Sequence, residues 1–433
     1  MTAKRGSSAR VSRSEAQRAI DAVFRIESPR LIGALTRMVK DVGLAEELAQ
    51  DALVAALSEW PESGVPENPG AWLMTTAKRR AINVLRHRKM AGGKHDEIAR
   101  DVDAAAEPDI EAHIDDPVRD DLLRLVFIAC HPVLSTEARV ALTLRLLGGL
   151  TSDEIARAFL ATEPTIAQRI VRAKRTLAEK NVAFEVPQKH ELAERLPSVL
   201  EVVYLIFNEG YSATSGDDWM RPTLCADALR LGRVLAELLP DEAEVHGLVA
   251  LMEIQASRTH ARTGPDGEPV LLMEQNRAKW DQLLIHRGLA ALERARAKAA
   301  QPGPYQLQAA IAACHARALT AEQTDWHAIT ALYGLLLERV PSPVVALNRA
   351  VAVGMALGPE AGLELVDGLV EDGALDRYHL LPAVRADLLM KLERFEEARG
   401  ELEKAAELTE NETERALLTR RAAACSRRTD KPS

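Results

Sequence analysis

LTSDEIARAFLATEPTIAQRIVRAKRTL, residues 150–177, holds the densest set of local signals in the chain. Thr151 and Glu154 stand at the spacing of a capping box, in which two side chains satisfy backbone N–H groups that the first helical turn leaves open. Ile155, Ala156 and Phe159 give the helix that follows an apolar side. The next residues break it, and Pro164 falls at the first position of a second helix, where a missing N–H costs nothing. In that helix Ile166, Ile170, Ala173 and Leu177 recur every three or four residues and point inward. Thr165, Gln168, Arg169, Arg172 and Arg175 are thereby placed on the outer face. Two helices joined by a tight turn, the second basic outside, form a helix-turn-helix suited to a DNA major groove. Arginine bonds guanine and glutamine bonds adenine there, while threonine and lysine reach phosphates. The simpler alternative is a plain hairpin with a solvated basic face; cap, turn, proline and charge together favour DNA.

Upstream, residues 70–94 carry Lys78, Arg79, Arg80, Arg86, Arg88, Lys89 and Lys94 with no acid among them. A solvated helix face normally mixes signs, so this run points to phosphate neutralisation. Residues 41–59 set Asp41, Glu46, Glu47, Gln50 and Asp51 on one side and small apolar residues on the other, which alone is an amphipathic helix. Helical spacing runs through Ala22, Val23, Ile26, Leu31, Leu35, Met38 and Val39, then through Leu44, Leu48, Ala52, Ala55 and Ala56. It resumes through Trp72, Leu73, Ala77 and Leu85. The spacing predicts a helical domain over 15–90, interrupted by a loop at WPESGVPENPG, residues 60–70, whose prolines and glycines break a helix. Residues 91–117 are acidic and poor in large apolar groups, the composition of an extended linker. A second helical domain follows over 118–185.

Charge is distributed in blocks. Residues 1–95 carry a net +6, residues 96–121 a net −9, residues 122–189 a net +4 and residues 190–433 a net −10. Two basic blocks around an acidic linker suit a phosphate-binding front half. The 433 residues are 47% apolar but only 4% aromatic, which favours an all-α chain of several domains. The four cysteines, Cys130, Cys225, Cys314 and Cys425, lie far apart with no C-x-x-C, so they read as reduced cytosolic thiols, not a disulfide or zinc framework. No apolar run is long enough to span a membrane, and the basic N-terminus lacks the apolar core of a signal peptide. A cytoplasmic location is expected. No catalytic, metal or cofactor constellation stands out. GPDGEP (264–269) has no P-loop lysine and reads as a turn, and Asp217-Asp218 as a helix cap.

Residues 190–425 read as successive helices with an internal repeat. Arg349-Ala350 and Arg385-Ala386 lie 36 residues apart, and Glu360-Ala361 and Glu397-Ala398 lie 37 apart. That period approaches the tetratricopeptide (TPR) value of about 34, so stacked helix pairs are expected. An irregular bundle is the alternative. The polar stretch ASRTHARTGPDGEP (256–269) interrupts the helical pattern and carries Arg258 and Arg262, which are expected to form a regulatory loop.

Taken in order, the segments at 41–60, 69–89 and 151–177 resemble regions 2 and 4 of RNA polymerase sigma factors of the extracytoplasmic-function (ECF) type. The tail, with FNEGYSA (207–213), DDWMRPT (217–223) and SPVVALNRAVAV (342–353), resembles the subgroup with a fused TPR-like domain. The resemblance implies a sigma-2 domain, a flexible linker, a sigma-4 domain and a helical tail. It also implies that core RNA polymerase is the partner, through its β′ coiled-coil and β flap, together with promoter DNA. By the same resemblance Asp41, Glu46, Glu47, Gln50 and Asp51 dock on polymerase. The loop at 61–70 captures a flipped base of the −10 element. Lys78, Arg79, Arg80, Asn83, Arg86 and Arg88 hold and read that element, and Thr165, Gln168, Arg169, Arg172 and Arg175 read the −35 element. Asn83 and Arg79 depart from the residues usual in the family, Asp and Asn, so its −10 preference is not carried over. Trp72 reads as core. The tail is expected to regulate activity by binding a protein segment or a small ligand. A helix-turn-helix regulator with a TPR sensor is the other reading of the same signals, but it leaves residues 41–90 without a role.

Overall fold

The computed structural model describes residues 13–92, 115–159, 161–213, 219–265 and 268–429. The linker acids at 96–111 and Asp217-Asp218 lie outside the described residues, as does the side chain of Arg88. The described backbone is helical, with no strand; one isolated bridge pairs Thr263 with Pro269. It divides into two compact units, Met1–Val202 and Val203–Ser433.

The first unit opens with α1 (Arg13–Val39), α2 (Val42–Ser63) and α3 (Pro69–Gly92). Leu31, Leu35, Leu48, Ala52, Ala56, Leu73 and Ala77 are buried between them, and the alanines let the helices approach closely. The expected stripe on α1 needs one correction: Ile26 is 62% exposed. The inward line runs instead through Ile20, Phe24, Ser28, Leu31, Ile32 and Leu35. Ile26 lies two residues from Phe24, about 200° round the helix, and so faces outward. The loop expected over 60–70 is also shorter. α2 continues through Pro61, because Trp60 is buried against Trp72, the ring centroids 5.3 Å apart at 70°. A proline one turn from a helix end removes one N–H bond and disturbs little beyond it. Gly64 N–H closes the helix on the Trp60 carbonyl at 2.9 Å, and Asn68 then caps α3, its Oδ1 accepting from Ala71 N at 3.0 Å.

Four further helices complete the unit: α4 (Asp115–Ala129), α5 (Thr136–Leu146), α6 (Ser152–Ala158) and α7 (Glu163–Glu179). α4 packs on α1. A Cβ on Gly33 would stand 2.9 Å from the Asp121 carbonyl oxygen, so only glycine allows this approach. Asp121, 1% exposed, accepts from Arg37 Nε at 2.9 Å and from Arg124 Nη1 at 2.7 Å. Cys130 is buried with Sγ 3.3 Å from Thr143 Oγ1, and burial pushes its thiol up to about 11. It is a packing group, since reactivity needs the thiolate.

α8 (Lys189–Tyr211) gives its first turns to the first unit, where Ser198 Oγ donates to the Cys130 carbonyl at 2.9 Å. The second unit continues with α9 (Pro222–Leu238) and α10 (Ala243–Ala256), then three short 3₁₀ turns and the Thr263–Pro269 hairpin. It resumes with α11 (Gln282–Lys298), α12 (Pro304–Arg317), α13 (Trp326–Arg339), α14 (Pro343–Leu357), α15 (Pro359–Asp372), α16 (Leu380–Lys391), α17 (Phe395–Leu408) and α18 (Glu412–Thr429). The repeat seen in sequence is the pair α14–α15 followed by the pair α16–α17. Ala350 and Ala386 occupy matching places in the first helices, both fully buried. In the second helices the expected match of Leu365 with Leu402, 37 residues on, fails: Leu402 is buried but Leu365 is 36% exposed, and Leu363 and Val366 are buried instead. Asn411 Nδ2 donates to the Ala213 carbonyl at 3.4 Å, joining the α17–α18 turn to the end of α8.

Candidate nucleic-acid and polymerase interfaces

The helix-turn-helix is α6 and α7. Both halves of the Thr151–Glu154 capping box form: Thr151 Oγ1 accepts from Glu154 N at 3.1 Å, and Glu154 Oε2 from Thr151 N at 2.8 Å. Arg25 Nη2 of α1 donates to the same carboxylate at 2.7 Å. Burial alone would raise the Glu154 pKa, but the backbone bond and Arg25 outweigh it and hold it below the usual range. Thr162 caps α7, so Pro164 is the second residue of the helix and not the first, still within the turn whose N–H groups have no partner in the helix. Ile166, Ile170, Ala173 and Leu177 are buried and hold the helix in one rotation. Thr165, Gln168, Arg172 and Arg175 are therefore exposed, and Arg169 is half-buried. Arg172 Nη2 donates to Gln168 Oε1 at 3.3 Å, and Arg175 Nε to Glu179 Oε1 at 2.6 Å. The structure brings the five together on one face, beside a groove of about 440 Å³ between α5 and α7. Val171, 62% exposed on this helix, was not singled out in the sequence; its signal was an apolar residue out of phase with the buried stripe.

On α3, Lys78, Arg79, Asn83 and Arg86 are exposed, while Arg80 Nη1 meets Asp51 Oδ2 of α2 at 3.2 Å. Two sets kept apart in sequence thus touch at one ion pair. The acidic set divides. Asp41 is the N-cap of α2, its Oδ1 accepting from Leu44 N at 3.1 Å, and Glu47 and Asp51 are exposed. Gln50 is half-buried. Glu46 is 4% exposed. Arg145 Nε of α5 donates to it at 2.5 Å, and Lys174 Nζ of α7 pairs with its other oxygen. Burial would raise this carboxyl's pKa, but Lys174 and Arg145 more than reverse that and hold it low. Arg145 and Lys174 were not picked out in the sequence, because nothing local connects them to a residue about a hundred positions earlier.

Arg258 and Arg262 border the hairpin of the second unit. Arg262 is 8% exposed and donates to the Tyr211 carbonyl; Arg258 is half-buried and donates to the Tyr211 hydroxyl. Among the described residues no three His, Cys, Asp or Glu side chains are placed to hold a metal, and no helix is long and apolar enough to cross a membrane.

Three family matches fall on these features. Residues 23–90 match Sigma-70 region 2 and residues 124–177 match Sigma-70, region 4. Residues 195–296 match a family of unknown function, DUF6596. An uncharacterised protein of Rhizobium meliloti (strain 1021) is 42% identical over 405 residues, 92% of this chain and 94% of its own. The ECF RNA polymerase sigma factor SigK of Mycobacterium sp. (strain KMS) is 30% identical over 165 residues, 36% of this chain and 82% of its own. The probable ECF RNA polymerase sigma factor SigI of Mycobacterium tuberculosis (strain H37Rv) is 26% identical over 177 residues, 41% of this chain and 60% of its own.

Proposed function

Since this chain belongs to the ECF type of sigma-70 family RNA polymerase sigma factors and carries an extra C-terminal helical domain, we propose that it binds core polymerase and directs it to promoters through α3 and α7. The register of α7 carries the reading. Four buried apolar residues fix its rotation and leave a face of Thr165, Gln168, Arg169, Arg172 and Arg175 beside an open groove. That face contacts the −35 element, with Arg169 and Arg172 bonding base edges and Val171 suited to a thymine methyl. Lys78, Arg79, Asn83 and Arg86, with Arg80 and Arg88, contact the −10 element. Asp41, Glu46, Glu47, Gln50 and Asp51 dock on the basic surface of the polymerase β′ coiled-coil, and the α6–α7 domain on the β flap. The C-terminal domain regulates this activity.

Docking in this form requires a rearrangement. Elements centred about 25 base pairs apart lie about 85 Å apart along straight B-DNA at 3.4 Å per base pair. Here Glu46 of the polymerase-docking helix is bonded directly to Lys174 of the −35 reader. Both elements are read together only after that bond opens, and opening frees Glu46 to meet polymerase. Run-off transcription with purified core polymerase tests the function. The expected result is initiation at a defined promoter with no other sigma factor present. Initiation only when a second sigma factor is supplied would make the chain an accessory regulator and overturn the proposal. In the same assay format, Glu47→Lys with Asp51→Lys is expected to abolish retention on immobilised core polymerase while circular dichroism stays native.

A further inference from the structure

Residues 190–433 are acidic overall, and Arg221, Arg233, Arg385 and Arg421 each meet a carboxylate there. Around the polar interruption the pattern changes. Among the described residues Arg258, Arg262 and Arg277 form no ion pair, and their partners are neutral. Arg262 donates to the Tyr211 carbonyl and lies between the Tyr211 and Trp219 rings, 3.6 and 4.5 Å from their centroids. Arg277 donates to the His315 and Ala318 carbonyls at 2.6 and 2.9 Å and to Thr324 Oγ1 at 2.9 Å. Arg277 Nε is also buried without a partner, but its other two nitrogens make three bonds to the fold. Arg258 makes fewer. It lies 5.6 and 5.7 Å from the Tyr211 and Trp280 ring centroids and donates one bond, to the Tyr211 hydroxyl. A guanidinium has five N–H donors. The Arg258 Nε is buried with no partner at all.

Arg258 also forms part of the wall of a cavity of about 490 Å³. That volume lies within the range of small-molecule sites. Tyr204, Tyr333 and His315 share the wall with neutral polar side chains, the amides of Asn208, Gln255, Gln308 and Asn348 and the Ser342 hydroxyl, and with aliphatic side chains, but with no Asp or Glu. His315 is 9% exposed and its Nδ1 is buried without a partner. Burial, with Arg258 and Arg277 nearby, pushes its pKa to about 3, so the imidazole is neutral and adds a polar contact without adding charge. Burial pushes the Tyr333 hydroxyl up to about 12, so it stays a donor. The cavity therefore has a positive end, unfilled donors and aromatic walls.

We propose that this cavity binds a small organic carboxylate with a flat apolar body, the carboxylate on Arg258 and the body against Tyr204 and Tyr333. One negative charge fits best. Arg258 is the only permanently charged group in the wall, and a second buried charge would lack a partner. The guanidinium fork matches a carboxylate geometrically and recognises it in a way a point charge does not.

Calorimetry on the full chain tests it, with benzoate as the probe, benzamide as its uncharged isostere and inorganic phosphate as an anion without an apolar body. Benzoate is expected to bind once per chain, and both comparators at least tenfold more weakly. Arg258→Met is expected to weaken benzoate at least tenfold. Ser342→Phe, which narrows the cavity from a half-buried wall position whose side chain makes no cap bond, does the same without touching an arginine. Arg294→Ala, an exposed α11 position outside the wall, leaves binding unchanged. Equal binding of benzamide and benzoate, no benzoate binding, or full binding by a folded Ser342→Phe or Arg258→Met protein overturns the proposal.

Discussion

Arg169 and Arg172 on α7 and Arg258 and Arg262 beside the hairpin are pairs of the same residue, one helical turn apart in each case, in opposite surroundings. In the first pair Arg172 is exposed and Arg169 half-buried, and among the described residues neither carries an ion pair or an aromatic contact, while their inward neighbours are apolar. The second pair is stacked on aromatic rings and bonded to backbone or hydroxyl oxygens. A solvated guanidinium remains available to a long polyanion, whose counterions it displaces. A buried one has already exchanged water for the protein, and it accepts only what fits the space left. On the proposed readings, identical side chains serve a polymer in one place and packing or a small anion in the other.

That contrast can be broken by substitution. The largest effect is expected from Arg169→Ala with Arg172→Ala. Loss of a bidentate base contact costs about 1–3 kcal/mol per site, so −35-dependent initiation should fall at least tenfold while the melting temperature holds. Footprinting or run-off assays on promoters that differ only at −35 would measure it, and equal loss on every sequence would mean phosphate contacts alone. Arg262→Ala should do the reverse. It removes a desolvated cation–π contact of about 2 kcal/mol and a charge-assisted bond of about 1.5–3 kcal/mol. Urea denaturation of the second unit should show a loss of about 3 kcal/mol, partly offset by relaxation, with −35 discrimination unchanged.

A third test uses acid. Glu46 carries a folded pKa below its ordinary value of 4.5 because Lys174 and Arg145 outweigh burial. A depressed carboxyl contributes stability above its unfolded pKa and loses it as pH falls. The α2–α5–α7 contact should therefore hold at neutral pH and loosen below about pH 4.5, read as faster amide exchange in α2 and α7. Exchange there that is flat with pH down to 3.5 would remove Glu46 as the latch. The smallest effect is expected from Arg175→Ala, because that side chain already bonds Glu179. Promoter affinity should change little, with the slope of log affinity against log salt falling by at most about one.

The legible parts of this fold were those written locally. The capping box, Pro164 and the three-and-four rhythm of Ile166, Ile170, Ala173 and Leu177 lie within one stretch of chain, and all are present, Pro164 one place further into its helix than read. The paired alanines of the repeat are also local, since Ala350 and Ala386 each need only their own helix to be placed. What escaped was set by partners distant in sequence. Ile26 looked inward until α2, α3 and α4 packed on the other side of α1, over Phe24 and Leu31. Trp60 looked like the start of a loop until Trp72 covered it. Glu46 read as one more surface acid because Arg145 and Lys174 lie 99 and 128 residues on. The cavity around Arg258 draws its walls from five separate helices and was invisible to any single segment.

The hydrogen bond from Asn411 to the Ala213 carbonyl changes how the second unit comes apart. A row of helix pairs in which each touches only its neighbours frays from its free end, one pair at a time. Here the turn before the last helix is tied to the first, and Asn411 is 2% exposed. One buried bond thus acts as a clasp between the last turn of the row and its first helix. Peeling α18 away must also expose the clasp, so the terminal helices borrow the protection of the initial one.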